Sequence, residues 1–202
     1  MYAIVEDNQI TQYINFPKSV VIGDVRYPAK IFELWSQSEK EAIGIYEIIV
    51  DKTNYKDPAY YNNTNSTYTF ADGQVTESWG TATAKRLNDE NAVDEDGENV
   101  LDDDGNQVIN YGLKTEKKRI IKQQASGLLE KTDWHNHKAF DDETYTIPNN
   151  IKTYRANVRS KSNEMETQID ACTTVQELET LYTYTTTDGV QSRPLVEFPE
   201  EI

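Results

Sequence analysis

Cysteine is almost absent from this chain, which has one cysteine, Cys172, among its 202 residues. A single cysteine excludes an intrachain disulfide and a metal cluster held by several thiolates. Histidine is also scarce, since His135 and His137 are the only two. The sequence has neither a G-x-S-x-G nucleophile elbow nor a glycine-rich phosphate loop. These absences leave few residues around which an active site could be built.

Basic residues are outnumbered, and long apolar runs are missing. The 35 acidic and 20 basic residues give a net charge of -15, whereas a protein that binds nucleic acid needs a basic surface. The same charge disfavours an anionic membrane surface, and no stretch approaches the length that spans a bilayer. Residues 1–10 carry charge where a signal peptide needs an apolar run. We therefore expect no nucleic-acid or membrane partner and assembly in a cytoplasm.

Tyrosine is abundant, with 13 tyrosines against five phenylalanines, whereas hydrophobic residues make up only 37% of the chain. Tyrosine combines a large contact area with a polar tip and suits interfaces. A chain of this length can bury a core. The composition predicts a small core and a surface that partners cover, as in a homo-oligomer.

The first 85 residues alternate between polar and apolar positions in short runs, as strands do. Turn residues separate the runs at positions 6–9, at Gly23-Asp24 and at Asp72-Gly73, and each predicts a hairpin. Trp79 closes the last of these strands. The segment 1–85 is therefore predicted to be a β-rich part, with Trp79 as a structural residue.

A short helix interrupts these strands. Ser36 and Glu39 have the spacing of a capping box, and Gly44 is a typical helix stop. These residues predict a mini-helix of two turns or less. We expect Trp35, together with Ile43 and Tyr46, to pin this mini-helix to the sheet.

An acidic repeat dominates the segment 86–112. Asp94–Leu101 (DEDGENVL) is followed directly by Asp102–Ile109 (DDDGNQVI). Acids precede each glycine, but their spacing does not fit an EF-hand calcium loop. We interpret the repeat as a β arm in which Asp-Gly reverses the chain twice, with calcium as the alternative. The basic stretch Lys114–Lys122 comes next and suggests charge compensation with the arm, within one chain or between neighbours.

The segment 113–184 has helical periodicity. One helix is predicted over 113–131, and another begins near Asn149, after Pro148. Apolar residues at positions 151, 158, 165 and 172 recur every seven residues, which is typical of a helix packed along one side. Cys172 lies on this stripe, so we interpret it as a small buried hydrophobe and not a nucleophile. The tail, 185–202, is expected to be extended and to dock on a neighbour.

The loop between the two helices holds the candidate chemistry. In an extended segment His135 and His137 would face the same side and could share a metal, which allows a metal-dependent hydrolase as one alternative. A zinc enzyme, however, needs three protein ligands. In the structural interpretation Thr132 or Asp133 forms a turn, and Trp134 folds over the apolar faces of both helices. We then expect a Trp134 substitution to destabilise the protein and histidine substitutions to do little.

Three residues of the second helix complete that structural interpretation. Tyr154 and Arg155 are expected to meet Trp134 from the second helix, with Arg159 one turn further on. No catalytic residue, cofactor or metal is assigned, and the two histidines are the only candidate ligands.

Leu128–Trp134 (LLEKTDW) and Tyr154–Arg159 (YRANVR) resemble the signature LL-x-x-TDW … YR-x-x-(L/V)R. That signature is common in tail-fibre assembly proteins and related small tail proteins of tailed bacteriophages. The opening residues MYAIVEDNQI and the blocks FELW and IGIY are similar to the front of such proteins.

The resemblance implies a structural protein of the virion that attaches or organises tail fibres at the tail or baseplate. Its partners would be other tail or fibre proteins. A fibre-assembly chaperone that is absent from the finished particle is the alternative, and neither role implies catalytic residues. The fold expected is α+β, with a β-rich part and mini-helix (1–85), an acidic β arm (86–112), a helical hairpin (113–184) and an extended tail (185–202).

Overall fold

The computed structural model describes residues 1–202, which divide into two compact units, Met1–Thr83 and Ala84–Ile202. Strands form most of the first unit, and the long helices all belong to the second. This architecture confirms the α+β class. The arm, the helices and the tail, which we predicted as separate segments, belong to a single unit. No helix combines the length and the apolar character that a membrane crossing requires.

A five-stranded sheet organises the first unit, with strand order β2-β1-β5-β8-β7. The elements are β1 (Tyr2–Glu6), β2 (Gln9–Ile14), β3 (Val20–Ile22), β4 (Val25–Tyr27), α1 (Ile31–Leu34), α2 (Gln37–Glu41), β5 (Ile45–Asp51), β6 (Tyr61–Asn62), β7 (Ser66–Ala71), β8 (Gln74–Trp79) and β9 (Thr83–Ala84). Neighbouring strands of the sheet are antiparallel except β5 and β8, which are parallel. The sheet curls until the rings of Tyr13 in β2 and Tyr68 in β7 lie 4.7 Å apart.

All three predicted hairpins are confirmed. The turn between β1 and β2 places Asp7 and Asn8 at φ of 50° and 60°. Asp72 and Gly73, between β7 and β8, have φ of 52° and 74°. Positive φ at both central residues is the turn geometry that matches the twist of a hairpin, and Asn, Asp and Gly tolerate it best.

Strand β1 is buried on both sides, so the sheet has two apolar clusters. The first cluster lies under the mini-helices and includes Ile4, Ile14, Val20, Ile31, Phe32 and Ile45. Trp35 and Ile43 pack against it, as predicted. Tyr46 does not: it faces the other cluster, and its ring lies 4.8 Å from that of Phe70. Neighbouring strand residues point to opposite faces, so Tyr46 cannot share the face of Ile45.

The capping box of α2 is confirmed, because the Ser36 and Glu39 side chains each bond the backbone of the other. Gly44 follows at φ of 84°. A Cβ there would lie 2.6 Å from the Val5 carbonyl oxygen, which explains the glycine. Trp79 is half-buried at the end of β8, with its ring 5.1 Å from that of Tyr55.

The second unit is built on two long antiparallel helices. Its elements are β10 (Glu90–Asn91), β11 (Ile109–Asn110), α3 (Leu113–Glu130), α4 (Trp134–Asp141), α5 (Asn149–Ala171), α6 (Val175–Tyr182), β12 (Thr185–Thr187) and β13 (Val190–Ser192). Val158, Met165 and Cys172 are buried along α5, which confirms the apolar stripe. The predicted helical hairpin is therefore the pair α3 and α5.

Acidic residues of α5 neutralise the basic face of α3. Lys118 lies 2.7 Å from Asp170, and Lys122 lies 3.2 Å from Glu166. Within the chain, the acids of the repeat form no ion pair with this helix, because antiparallel packing places the acids of α5 beside its lysines. Compensation between neighbouring copies stays a prediction.

The prediction of an extended tail is also wrong. Strands β12 and β13 form a hairpin, and the residues after it dock on the helices of the same chain. Leu195 is buried. The Gln168 side chain accepts a hydrogen bond from the Val196 N–H (3.0 Å) and donates one to the Pro194 carbonyl (3.1 Å). These bonds account for a polar residue among the apolar positions of α5.

Segment 86–89 covers the N-terminus of α3. The Asp89 carboxylate accepts hydrogen bonds from the Gly112 N–H (2.8 Å) and the Thr115 hydroxyl (2.9 Å). Both bonds hold the pKa of Asp89 below its usual range, the Gly112 N–H most strongly. The Leu113 N–H donates to the Arg86 carbonyl at 2.9 Å. The first N–H groups of a helix lack partners within it, and here a distant segment supplies them.

Gly112→Ala is expected to destabilise the second unit by about 1–3 kcal/mol, the usual cost of overpacking. A Cβ at this position would lie 2.5 Å from the backbone of Asn88. Urea unfolding of the purified variant measures the loss. Gly127→Ala is the matched control. Gly127 lies in α3, and a Cβ added there would meet nothing within 4 Å. It should stabilise by about 0.5–1 kcal/mol, and an equal loss in both variants would contradict the capping role of segment 86–89.

Candidate functional site

A buried arginine closes the turn between α3 and α4. Arg155, only 7% exposed, donates from Nη1 to the Leu129 carbonyl (2.8 Å) and to Thr132 Oγ1 (2.7 Å). Its Nη2 donates to Asp133 Oδ1 at 2.7 Å. The planar guanidinium presents several donors in a fixed fork, which suits three acceptors around one point. We call these four residues the Arg155 lock.

Thr132 is part of the same network, because its hydroxyl also donates to the Leu129 carbonyl at 3.0 Å. That carbonyl lies in the last turn of α3, where backbone oxygens lack helical partners. The lock therefore ends α3 and holds the start of α4 with bonds from α5. Its geometry stabilises a corner and leaves no group in position to attack a substrate.

Tyr154 and Arg159, the other two residues predicted on α5, do not take part in the Arg155 lock. Tyr154 is buried with Ala125 and Val158, and Phe198 of the tail packs against the same cluster. Arg159 is exposed, and its guanidinium makes only a long contact, 3.4 Å, with the Arg155 carbonyl. The structure thus brings Arg155 to Asp133, a pairing that the sequence did not predict, and not to Trp134, where Tyr154 and Arg155 were expected.

The segment that we predicted as an extended loop is the helix α4. His135 and His137 are two residues apart on a helix, so they point about 200° apart around its axis. His137 is exposed. Nowhere in the chain do three or more His, Cys, Asp or Glu residues cluster in a way that could hold a metal. The expectation that the two imidazoles face one side is therefore wrong.

His135 and Trp134 have exchanged the roles that we expected of them. His135 is 8% exposed, and its Nδ1 shares a hydrogen bond with the Tyr145 hydroxyl. Trp134 is 53% exposed and stacks on the His135 ring, with 3.7 Å between centroids. On α4 the histidine is therefore the buried residue, and the tryptophan ring covers it on the solvent side. The prediction of a buried tryptophan corner is wrong.

His135→Ala is expected to destabilise the second unit by about 1–3 kcal/mol, because it leaves the Tyr145 hydroxyl without its partner. Trp134→Ala removes a largely exposed ring and should cost less, about 0.5–1.5 kcal/mol for the lost stacking. Equilibrium unfolding in urea ranks the two variants. A larger loss for Trp134→Ala would restore the tryptophan as the main packing residue of this corner.

Sequence reasoning missed Leu129 and Tyr145 as members of this site. Asp142, which follows α4, accepts hydrogen bonds from the Thr144 hydroxyl (2.6 Å) and N–H (3.0 Å). These bonds lower the pKa of Asp142. Such a turn is a local signal, and it could have located the chain reversal that brings Tyr145 back to His135.

A buried thiol and a cleft lie elsewhere in this unit. Burial raises the pKa of the Cys172 thiol, which donates to the Gln168 carbonyl within α5, so Cys172 is the buried hydrophobe that we predicted. A cleft of roughly 680 Å³ separates α3 from the tail and has mostly apolar walls. Its cations, Lys131 and Arg193, already pair with Glu201 and Glu197 of that tail.

No protein-family model, no curated protein and no solved structure matches this chain. The functional inference below therefore depends on the residues that carry the resemblance and on their arrangement.

Proposed function

We propose that this protein is a non-enzymatic structural component of a tailed phage particle, which attaches or organises tail fibres at the tail or baseplate through protein–protein interfaces. The observation that carries the proposal is the Arg155 lock. The Thr132-Asp133 and Tyr154-Arg155 pairs, on which the resemblance to tail proteins depends, build a structural corner. A motif that stabilises a corner fits a particle protein better than an enzyme.

The surface of the second unit supports an interaction role. Phe140 is 88% exposed, and Trp134 on the same helix is more than half exposed. Large exposed aromatic residues are typical of interfaces. The partners proposed are other tail or fibre proteins and further copies of this chain, and the place proposed is the virion.

Mass spectrometry of purified particles tests this role. A structural component should be present at a fixed number of copies per particle. Particles that carry no copy of the chain would remove the structural role from consideration.

A tail-fibre assembly chaperone is the second candidate. The exposed Trp134 and Phe140 favour it as well, because a chaperone covers apolar surface transiently. A chaperone would be monomeric alone, would form a soluble complex with a fibre protein, and would be missing from finished particles.

A metal-dependent hydrolase would instead show a stoichiometric metal in elemental analysis that His137→Ala removes.

A further inference from the structure

The acidic repeat folds into a junction of two short hairpins and a third strand pair that encloses them. Val93 pairs with Asn99, and eight residues later Leu101 pairs with Gln107. The third pair, Asn91 with Ile109, belongs to β10 and β11 and connects the junction to the rest of the unit. One partner of each pair is apolar, and these partners lie eight residues apart, at 93, 101 and 109. The eight-residue period of the sequence is thus a threefold repeat in structure.

A closed ring of backbone hydrogen bonds holds the junction together. The Val100 N–H donates to the Ala92 carbonyl (3.0 Å), Val108 to Val100 (2.9 Å), and Ala92 to Val108 (2.8 Å). The Gln107 side chain adds donors to the Ala92 and Val108 carbonyls, both at 2.9 Å. Because the ring satisfies its own backbone groups, the junction is a compact plate.

One face of this plate is apolar and uncovered. Successive residues of a strand point to opposite faces, so Val93, Leu101 and Ile109 share the face opposite to the ring residues. Val93 is 54% exposed and Leu101 is 57% exposed. We call these three residues the arm face. No other part of the chain covers its two most exposed members.

Uncompensated acids flank the arm face on the two hairpin tips. The seven carboxylates are those of Asp94, Glu95, Asp96, Glu98, Asp102, Asp103 and Asp104, and none of them forms an ion pair within the chain. Asp94 and Asp102 accept backbone N–H groups of their own turns. In the nearest basic stretch, Lys118 and Lys122 pair with α5 instead. The charge around the apolar face is therefore free to meet cations of another molecule.

We propose that the arm face docks on a protein surface that has an apolar centre and a rim of lysine and arginine. Burial of Val93 and Leu101 would supply the contact area, and the basic rim would neutralise the seven carboxylates and orient the approach. A symmetric contact with a second copy of this chain would place these acids against each other. Nucleic acid is negatively charged, so the acids would repel it. The docking surface is independent of the proposed place in a phage particle.

Calorimetric titration with a short peptide of alternating leucine and lysine tests the docking surface. The intact protein is compared with a fourfold variant, Glu95→Gln, Asp96→Asn, Asp103→Asn and Asp104→Asn, which keeps the two acids that hold the turns. We expect the fourfold variant to bind about ten-fold more weakly at low salt, where exposed charges act most strongly. Leu101→Ser should weaken binding several-fold at low and at high salt, and Val93→Ser repeats this test on the same face.

A charge-matched control separates the arm face from the overall acidity of the chain. Glu6→Gln, Asp24→Asn, Glu33→Gln and Glu200→Gln remove the same number of exposed acids elsewhere, and affinity for the peptide should remain within about two-fold. An equal loss in the control, or no binding by the intact protein, would overturn the proposal. Titration with calcium chloride alone tests whether the acids of the arm bind a metal cation. Stoichiometric binding that the fourfold arm variant abolishes would assign the acids to a cation instead.

Discussion

Arg155→Ala is expected to destabilise the second unit by about 2–4 kcal/mol. The change removes the charged donor from the Thr132 hydroxyl and the Leu129 carbonyl, which keep their bond to each other. A hydrogen bond to a charged group is worth about 1.5–3 kcal/mol. Asp133 contributes less, because its side chain is half exposed and water can replace the guanidinium. Urea unfolding, followed by far-ultraviolet circular dichroism, measures the loss through the helices that the lock joins.

Two further variants show whether the fork of donors matters, and not merely the positive charge. Arg155→Lys keeps the charge but offers a single ammonium group, which cannot reach three acceptors in the same geometry, so it should recover less than half of the lost stability. Arg159→Ala changes an exposed arginine one turn away on α5 and should stay within about 0.5 kcal/mol of the parent protein. Equal losses at both arginines would show that the Arg155 lock has no special role.

Features that depend on neighbouring residues could be predicted from the sequence. The Asp72-Gly73 turn and the capping box at Ser36 both form as their spacing indicated. Each involves residues within four positions of one another, so the local sequence contains all the groups that take part. The hairpin around Asp188-Gly189 carries the same local signal.

Features that depend on distant residues could not be predicted in this way. Which side of α4 turns inward depends on Tyr145 and on the Arg155 lock, so the exposure of Trp134 could not be read from a short window. The same holds for the cap that segment 86–89 places on α3. The acidic repeat shows both cases, because its turns are local whereas the ring through Ala92 closes only after two hairpins have formed.

The adjacent residues Tyr154 and Arg155 stabilise the same end of α3 through different contacts. Tyr154 fills the space between α3, α5 and the tail, and Arg155 fixes the turn that follows α3. Both residues contact the same end of α3, where Leu129 touches the Tyr154 cluster and accepts from Arg155. Substitutions that share a partner are not additive, so a double variant should lose less than the two separate losses combined.

Tyr154→Ala is expected to cost about 3–5 kcal/mol, the range for truncation of a buried aromatic side chain. The cavity would open between Ala125, Val158 and Phe198, and it would also loosen the docked tail. Limited proteolysis should therefore cut near the C-terminus sooner in this variant, in step with a lower urea midpoint. Phe140→Ala removes an aromatic ring that is almost fully exposed and should change stability by no more than about 0.5 kcal/mol. If both variants unfolded at the same urea concentration, Tyr154 would behave as a surface residue like Phe140. The contact between α3 and α5 would then depend on the Arg155 lock and on the ion pairs of Lys118 and Lys122.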